Sequence, residues 1–190
     1  MTRLARLGAV LAFLVLVAVL VQVTGLREHL DLAFVRAQFQ GHVVQGLFLF
    51  ALLFSLGNLI QVPGWIFLGA AVLALGRAWG GVAALAAAIV SACVSFALLR
   101  LLGGDSLREL PGRWAARIFA QLDAHPVRSV ALLRLVLGTA PPLNVALALS
   151  GVRFRHYLLG TLIGLPLPIA AYALFFDAAA RLFHWDLGSH

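Results

Sequence analysis

The sequence predicts an all-α fold: a polytopic membrane protein with two re-entrant helical hairpins in an inverted repeat, plus spanning helices. Three observations predict it. The chain is 63% hydrophobic and 11% charged over 190 residues, where a soluble domain runs nearer 45–50% and 25%. Uncharged runs of about span length alternate with short Arg-bearing stretches. Two of the apolar stretches are broken in the middle by proline, and the breaks sit at matching distances from an arginine.

A soluble core of this size could not bury so much apolar surface, and the mean hydropathy of +1.02 agrees. A soluble enzyme, a disordered tail and a disulfide scaffold are therefore excluded as leading classes. Cys93 is the single cysteine and has no internal partner. The net charge of +7 comes from 14 basic residues, all arginine, against 7 acidic ones. These arginines lie between apolar runs rather than on one face, which points to membrane orientation and anionic lipid headgroups instead of nucleic acid.

Residues 7–26, between Arg6 and Arg27, give 20 uncharged positions, or about 30 Å of helix, the thickness of the hydrocarbon layer. No small-residue cleavage site follows, so a retained signal anchor is expected rather than a cleaved leader. Residues 26–40 mix Leu and Phe with Arg27, Glu28, Asp31 and Arg36, the pattern of an interfacial amphipathic helix or of a loop. Residues 1–40 form one expected unit, 41–177 the membrane domain, and 178–190 an amphipathic tail.

Residues 37–76 are 40 positions without a charge, too long for one span and short for two. Pro63-Gly64 breaks the run, because proline has no N–H to donate and glycine frees the backbone. Either 43–61 spans fully or 43–76 is re-entrant. Residues 78–99 are 22 uncharged positions crowded with Gly, Ala and Ser, a span suited to close central packing. Residues 100–128 carry five arginines and read as a cytoplasmic amphipathic helix, with Asp105 as a candidate N-cap. Residues 135–152 are interrupted by Pro141-Pro142, and 157–176 form a span with expected kinks at Pro166 and Pro168.

Charge selects between the alternatives. With Arg3 and Arg6 cytoplasmic, residues 7–26 cross outward. A full span at 43–61 would then leave the five-Arg stretch outside. Two re-entrant hairpins, at 43–76 and 129–152, keep it and Arg153-Phe154-Arg155-His156 on the cytoplasmic side. Positions 41 and 77 then lie on one face, and 127 and 153 on the other. Pro63 precedes Arg77 by 14 positions and Pro141 precedes Arg155 by 14, as in an inverted repeat.

Arg134 is the sharpest candidate for chemistry. An intramembrane arginine is costly and needs a partner; it reads as a bidentate phosphate clamp or as an interfacial side chain that snorkels. Pro63, Gly64, Pro141 and Pro142 mark either half-helix N-termini, whose free N–H groups attract an anion, or simple kinks. Asn144 either donates to that anion or bonds a neighbouring helix. Arg77 and Arg155 read as headgroup contacts or as interfacial anchors. His42, His125 and His156 have no metal-ligand spacing with one another.

The order of these features resembles the DedA superfamily, and within it the VTT-domain (SNARE-associated Golgi protein) branch. VPGWIFLGAAVLALGRAWGGVAALAAAIVSACVSFALLRLLG, from Val62 to Gly103, is similar to that family's Pro–Gly–Gly pattern ending in Arg-x-x-Gly. HPVRSVALLRLVLGTAPPLNVALALSGVRFRHYLLGTLIGLPLP, from His125 to Pro168, resembles it further: Arg134, the Pro141-Pro142 break, Asn144, then Arg-x-Arg and a LLGT-x-x-G helix. Leu137 stands where the family often has proline, and Ala148 where it has glycine. No Asp or Glu occurs from residue 32 to 104, unlike members with membrane-embedded acids. The resemblance, over about 43–176, implies movement of lipids or lipid phosphates across a bilayer, as a flippase or scramblase. The implied partners are membrane lipids, an anionic phospholipid or a polyprenyl phosphate, with a homo-oligomer left open and no nucleic acid. No cofactor, metal or catalytic residue is expected. The plasma or inner membrane is the expected location, with a cytoplasmic N-terminus. A membrane assembly factor and a membrane-embedded lipid phosphatase are the alternatives.

Overall fold

The computed structural model describes residues 3–23, 43–109 and 113–182, and among them every regular element is a helix. The expected interfacial segment 26–40 and residues 183–190 of the tail lie outside the described residues. Helix α1 is Arg3–Val23, α2 Val43–Leu59 and α3 Gly64–Gly103. A 3-10 turn, Ser106–Glu109, leads to α4 Arg113–Ala124, α5 Pro126–Leu137, α6 Pro141–Leu149, α7 Phe154–Gly164 and α8 Pro166–Leu182.

Two reversals shape the first half. Gln61 has φ 64, and Pro63 is extended at φ −60, ψ 130, so α2 ends and the chain turns back. The rings of Phe54 and Phe67 stack at 4.9 Å; a straight helix would hold them about 20 Å apart. At Gly76 the backbone takes φ 79, ψ 172, a region only glycine enters without strain. There α3 folds on itself: a Cβ on Gly80 would strike the backbone of Ala71 and Val72, residues about 12 Å away along an unbroken helix. So α3 is two limbs, 64–75 and 77–103, and the second runs parallel to α2.

The second half has the same plan. Gly138 (φ 57) ends α5, the short α6 returns, and Gly151 (φ 85) leads into α7. Helix α7 runs parallel to α5, close enough that a Cβ on Gly160 would meet Val130 and one on Gly164 would meet Ala131 and Arg134. Pro166 follows a bend at Leu165, but Ile169 N–H still donates to Leu165 O at 3.1 Å. The helix bends without breaking.

The long members of the two halves cross antiparallel. Gly81 lies opposite Ala173, Phe96 opposite Phe154 (ring centroids 5.7 Å apart), and Arg77 opposite Asp177. The small residues expected to favour central packing do so: limb 77–103 buries Ala83, Ala84, Ala87, Ala88, Ser91 and Ala92. Two apolar clusters form the core. One gathers Phe50, Phe54, Leu68 and Leu165; the other gathers Leu99, Leu147, Leu149 and Tyr157.

The exterior is apolar while the interior holds polar groups. Trp79, Val136, Leu101, Ile163 and Phe175 are all more than 60% exposed, whereas Arg134, Ser91 and Thr161 have no exposure. Water would disfavour such a surface, and lipid suits it. Gly64–Gly103 and Phe154–Leu182 each hold a stretch long and apolar enough to cross a membrane. The surface and these helices fit a membrane protein. The single amphipathic helix expected over 100–128 is in fact the end of α3, a 3-10 turn, α4 and the first residues of α5. The Asp105 carboxylate does not cap; it pairs with Arg100 at 2.6 Å.

Candidate functional site

Arg134 is on the last turn of α5, where Gly138 closes the helix by donating to the Arg134 carbonyl at 2.7 Å. Its side chain is fully buried. Nη2 donates to Asn144 Oδ1 and to Tyr157 Oη, both at 2.6 Å. Nη1 donates to Gly138 O at 3.2 Å and Nε to Thr161 Oγ1 at 3.4 Å. The guanidinium carbon lies 5.2 Å from the Tyr157 ring centroid, within range of a cation–π attraction. Every one of these partners is uncharged. Four of the five guanidinium N–H groups are engaged, yet no carboxylate among the described residues offsets the charge.

The network continues into the first half. Asn144 Nδ2 donates to Asn58 Oδ1 at 3.0 Å, and Asn58 Nδ2 donates to Ser91 Oγ at 3.1 Å and Ser95 Oγ at 3.3 Å. Ser91 in turn donates to Phe54 O at 3.4 Å. Tyr157 Oη lies 3.1 Å from Ala92 O and 3.2 Å from Asn144 Oδ1, and its single proton serves one of the two. Five helices thus converge on one polar cluster, and the Asn58–Asn144 bond joins the two halves directly. Along limb 77–103, Ala92 is about four turns from Arg77 and about two from Arg100. The cluster therefore lies between the charged ends of the bundle.

The two breaks adjoin each other beside this cluster. Gly64 abuts Thr139, and a Cβ on Gly64 would overlap the threonine hydroxyl. A cavity of about 10 Å³ lies between them, lined by Phe54, Trp65 and Tyr172 among others, with room for roughly one water.

Arg134 and Asn144 are hydrogen-bonded to each other, a pairing the sequence alone does not indicate. Pro63 and Gly64 open the first limb of α3, and Pro141 and Pro142 are the first two residues of α6. One detail corrects the sequence expectation. The first turn of α6 has no free amide from these positions, since both prolines lack an N–H and Leu143 N–H donates to Ala140 O at 3.1 Å. The polar side chains at this tip are those of Arg134 and Asn144. Arg77 is at one end of the bundle, 3.7 Å from Asp177, which also pairs with Arg181 at 3.2 Å. Arg155 is exposed at the other end, in the first turn of α7. Neither reaches the cluster.

Asn58, Ser91, Ser95, Tyr157 and Thr161 escape a reading of the sequence alone. A weak signal exists: Ser91 with Ser95, and Tyr157 with Thr161, are polar pairs four residues apart on apolar helices, so each pair shares a face.

The family model of the VTT domain matches residues 62–178. Neither a curated protein nor a solved structure matches the chain.

Proposed function

The chain belongs to the VTT-domain family, and from that premise we propose that it moves an anionic phospholipid or a polyprenyl phosphate between the leaflets of a bilayer. One observation carries this reading: a fully buried guanidinium at the junction of the two halves, held only by neutral groups. Burying a charge without a counter-charge is costly. A carboxylate partner would relieve that cost; none is present among the described residues, and a phosphate would satisfy such a positive site with two parallel hydrogen bonds.

The repeated plan of long helix, short return and long helix supports two re-entrant hairpins. The antiparallel crossing of limb 77–103 with residues 154–182 supports an inverted repeat. Arg100, Arg108, Arg128, Arg153 and Arg155 gather near one end of the bundle and Arg77 and Arg181 near the other. By the positive-inside rule the first end is cytoplasmic, in a plasma or inner membrane, with the N-terminus on the same side. In the closed arrangement four of the five guanidinium N–H groups of Arg134 are held by protein groups. A headgroup reaches it when the Asn58–Asn144 bond parts and the two halves separate.

Purified protein in vesicles tests the proposal. Exchange of fluorescent phosphatidylserine or of a polyprenyl phosphate is expected to exceed that of protein-free vesicles. No acceleration for any anionic lipid would overturn it.

A further inference from the structure

A second polar feature lies apart from the Arg134 cluster. A cavity of about 420 Å³ opens at the basic end of the bundle, within the size range of small-molecule sites. Arg108, Arg153, His156 and Asp123 form its polar walls, and Leu122 and Val152 part of its apolar wall.

Arg108 is fixed in place. Its Nε donates to Ser150 O at 3.0 Å, and its guanidinium pairs with Asp123. It lies across the turn between α6 and α7, where Gly151 has φ 85 and a Cβ would strike the Arg108 side chain. Glycine at 151 thus serves both the turn and the arginine above it. The Arg108 charge is met by Asp123. The Arg153 carbonyl accepts from the backbone N–H groups of His156 and Tyr157, but among the described residues the side chains of Arg153 and His156 have no hydrogen-bond or ion-pair partner. No side chain caps α7, which begins just after Arg153, so the positive end of its dipole adds to the Arg153 charge. The cavity therefore carries an excess of positive charge and of unused donors beside an apolar wall.

We propose that this cavity binds a phosphate ester, with Arg153 and His156 as the donors and the Arg108–Asp123 pair as a fixed wall. The phosphate belongs either to a lipid headgroup at the membrane face or to a soluble ester. The site does not depend on leaflet exchange, because it requires no opening of the Arg134 cluster.

Binding measurements on the full chain separate the sources. One arm titrates detergent-solubilised protein with inorganic phosphate and with glycerol 3-phosphate. The other uses vesicles of phosphatidylcholine with and without phosphatidic acid. Binding is expected in at least one arm, weakened about tenfold by Arg153→Gln, the loss of one charge-assisted contact. His156→Gln should weaken it severalfold, and Arg181→Gln, at the opposite end, should not. Binding in both arms identifies the phosphate group itself as the ligand; binding to vesicles alone identifies a lipid headgroup. The Arg153 side chain is exposed, so an unchanged unfolding midpoint is expected to accompany the loss. Absence of binding in both arms, or binding that Arg153→Gln leaves unchanged, would overturn the proposal.

Discussion

Arg134→Gln is expected to lower lipid exchange at least tenfold while the protein stays folded. Glutamine keeps an amide that can donate to Asn144 or Tyr157 and removes the buried charge together with its desolvation cost. Replacing buried charge by neutral groups of similar size is often near neutral for stability, so the unfolding midpoint in detergent should move by only a few degrees. The phosphate contact loses its charge-assisted bonds, each worth about 1.5–3 kcal/mol, or roughly one to two orders of magnitude. Arg134→Lys keeps the charge without the planar fork and should fall between the two. A midpoint that collapses with Arg134→Gln would instead make the arginine a structural keystone.

Gly164→Val is expected to have the largest effect on the fold. A Cβ at 164 would meet the Ala131 backbone and Arg134 Cβ, and valine adds two methyl groups beyond that. Backbone cannot yield as a side-chain end can, so α5 must move away from α7 and take Arg134 with it. Overpacking of this kind costs about 3 kcal/mol, enough to halt folding of a marginal bundle. Gly81→Ala is the contrast. Its Cβ would lie 3.6 Å from Ala173 Cβ, an ordinary contact, and alanine favours the helix by about 0.5–1 kcal/mol. Unfolding midpoints of the two variants should move in opposite directions.

The parts of this architecture that depend on local chemistry are legible in the sequence. Pro63-Gly64 and Pro141-Pro142 announce breaks because proline removes a donor wherever it stands. Arg134 and Asn144 draw attention as polar residues in apolar surroundings. The reversal at Gly76 is less visible, since a glycine before Arg77 looks like any helix boundary until Gly80 is seen against Ala71. The rest of the cluster depends on long-range pairing: Asn58 with Asn144 across 86 positions and Tyr157 with Ala92 across 65. No helical period encodes such pairs. Arg77 has its partner, Asp177, in the other half of the chain, so its ion pair is equally hidden. The absence of free amides at α6 was legible in principle, because two successive prolines cannot donate, but proline at a helix start more readily suggests an N-terminus than a blocked one.

The most direct test of the central claim, that two broken segments enter from opposite faces and enclose Arg134 between them, is a labelling map of the membrane-embedded protein. Cys93→Ala removes the native thiol, and single cysteines then replace Val43, Arg77, Val127 and Arg153 in sealed, oriented vesicles. Cysteines at 43 and 77 are expected to react with an impermeant reagent from one side, and those at 127 and 153 from the other. Labelling of 43 and 77 from opposite sides, or of 77 and 153 from the same side, would contradict it.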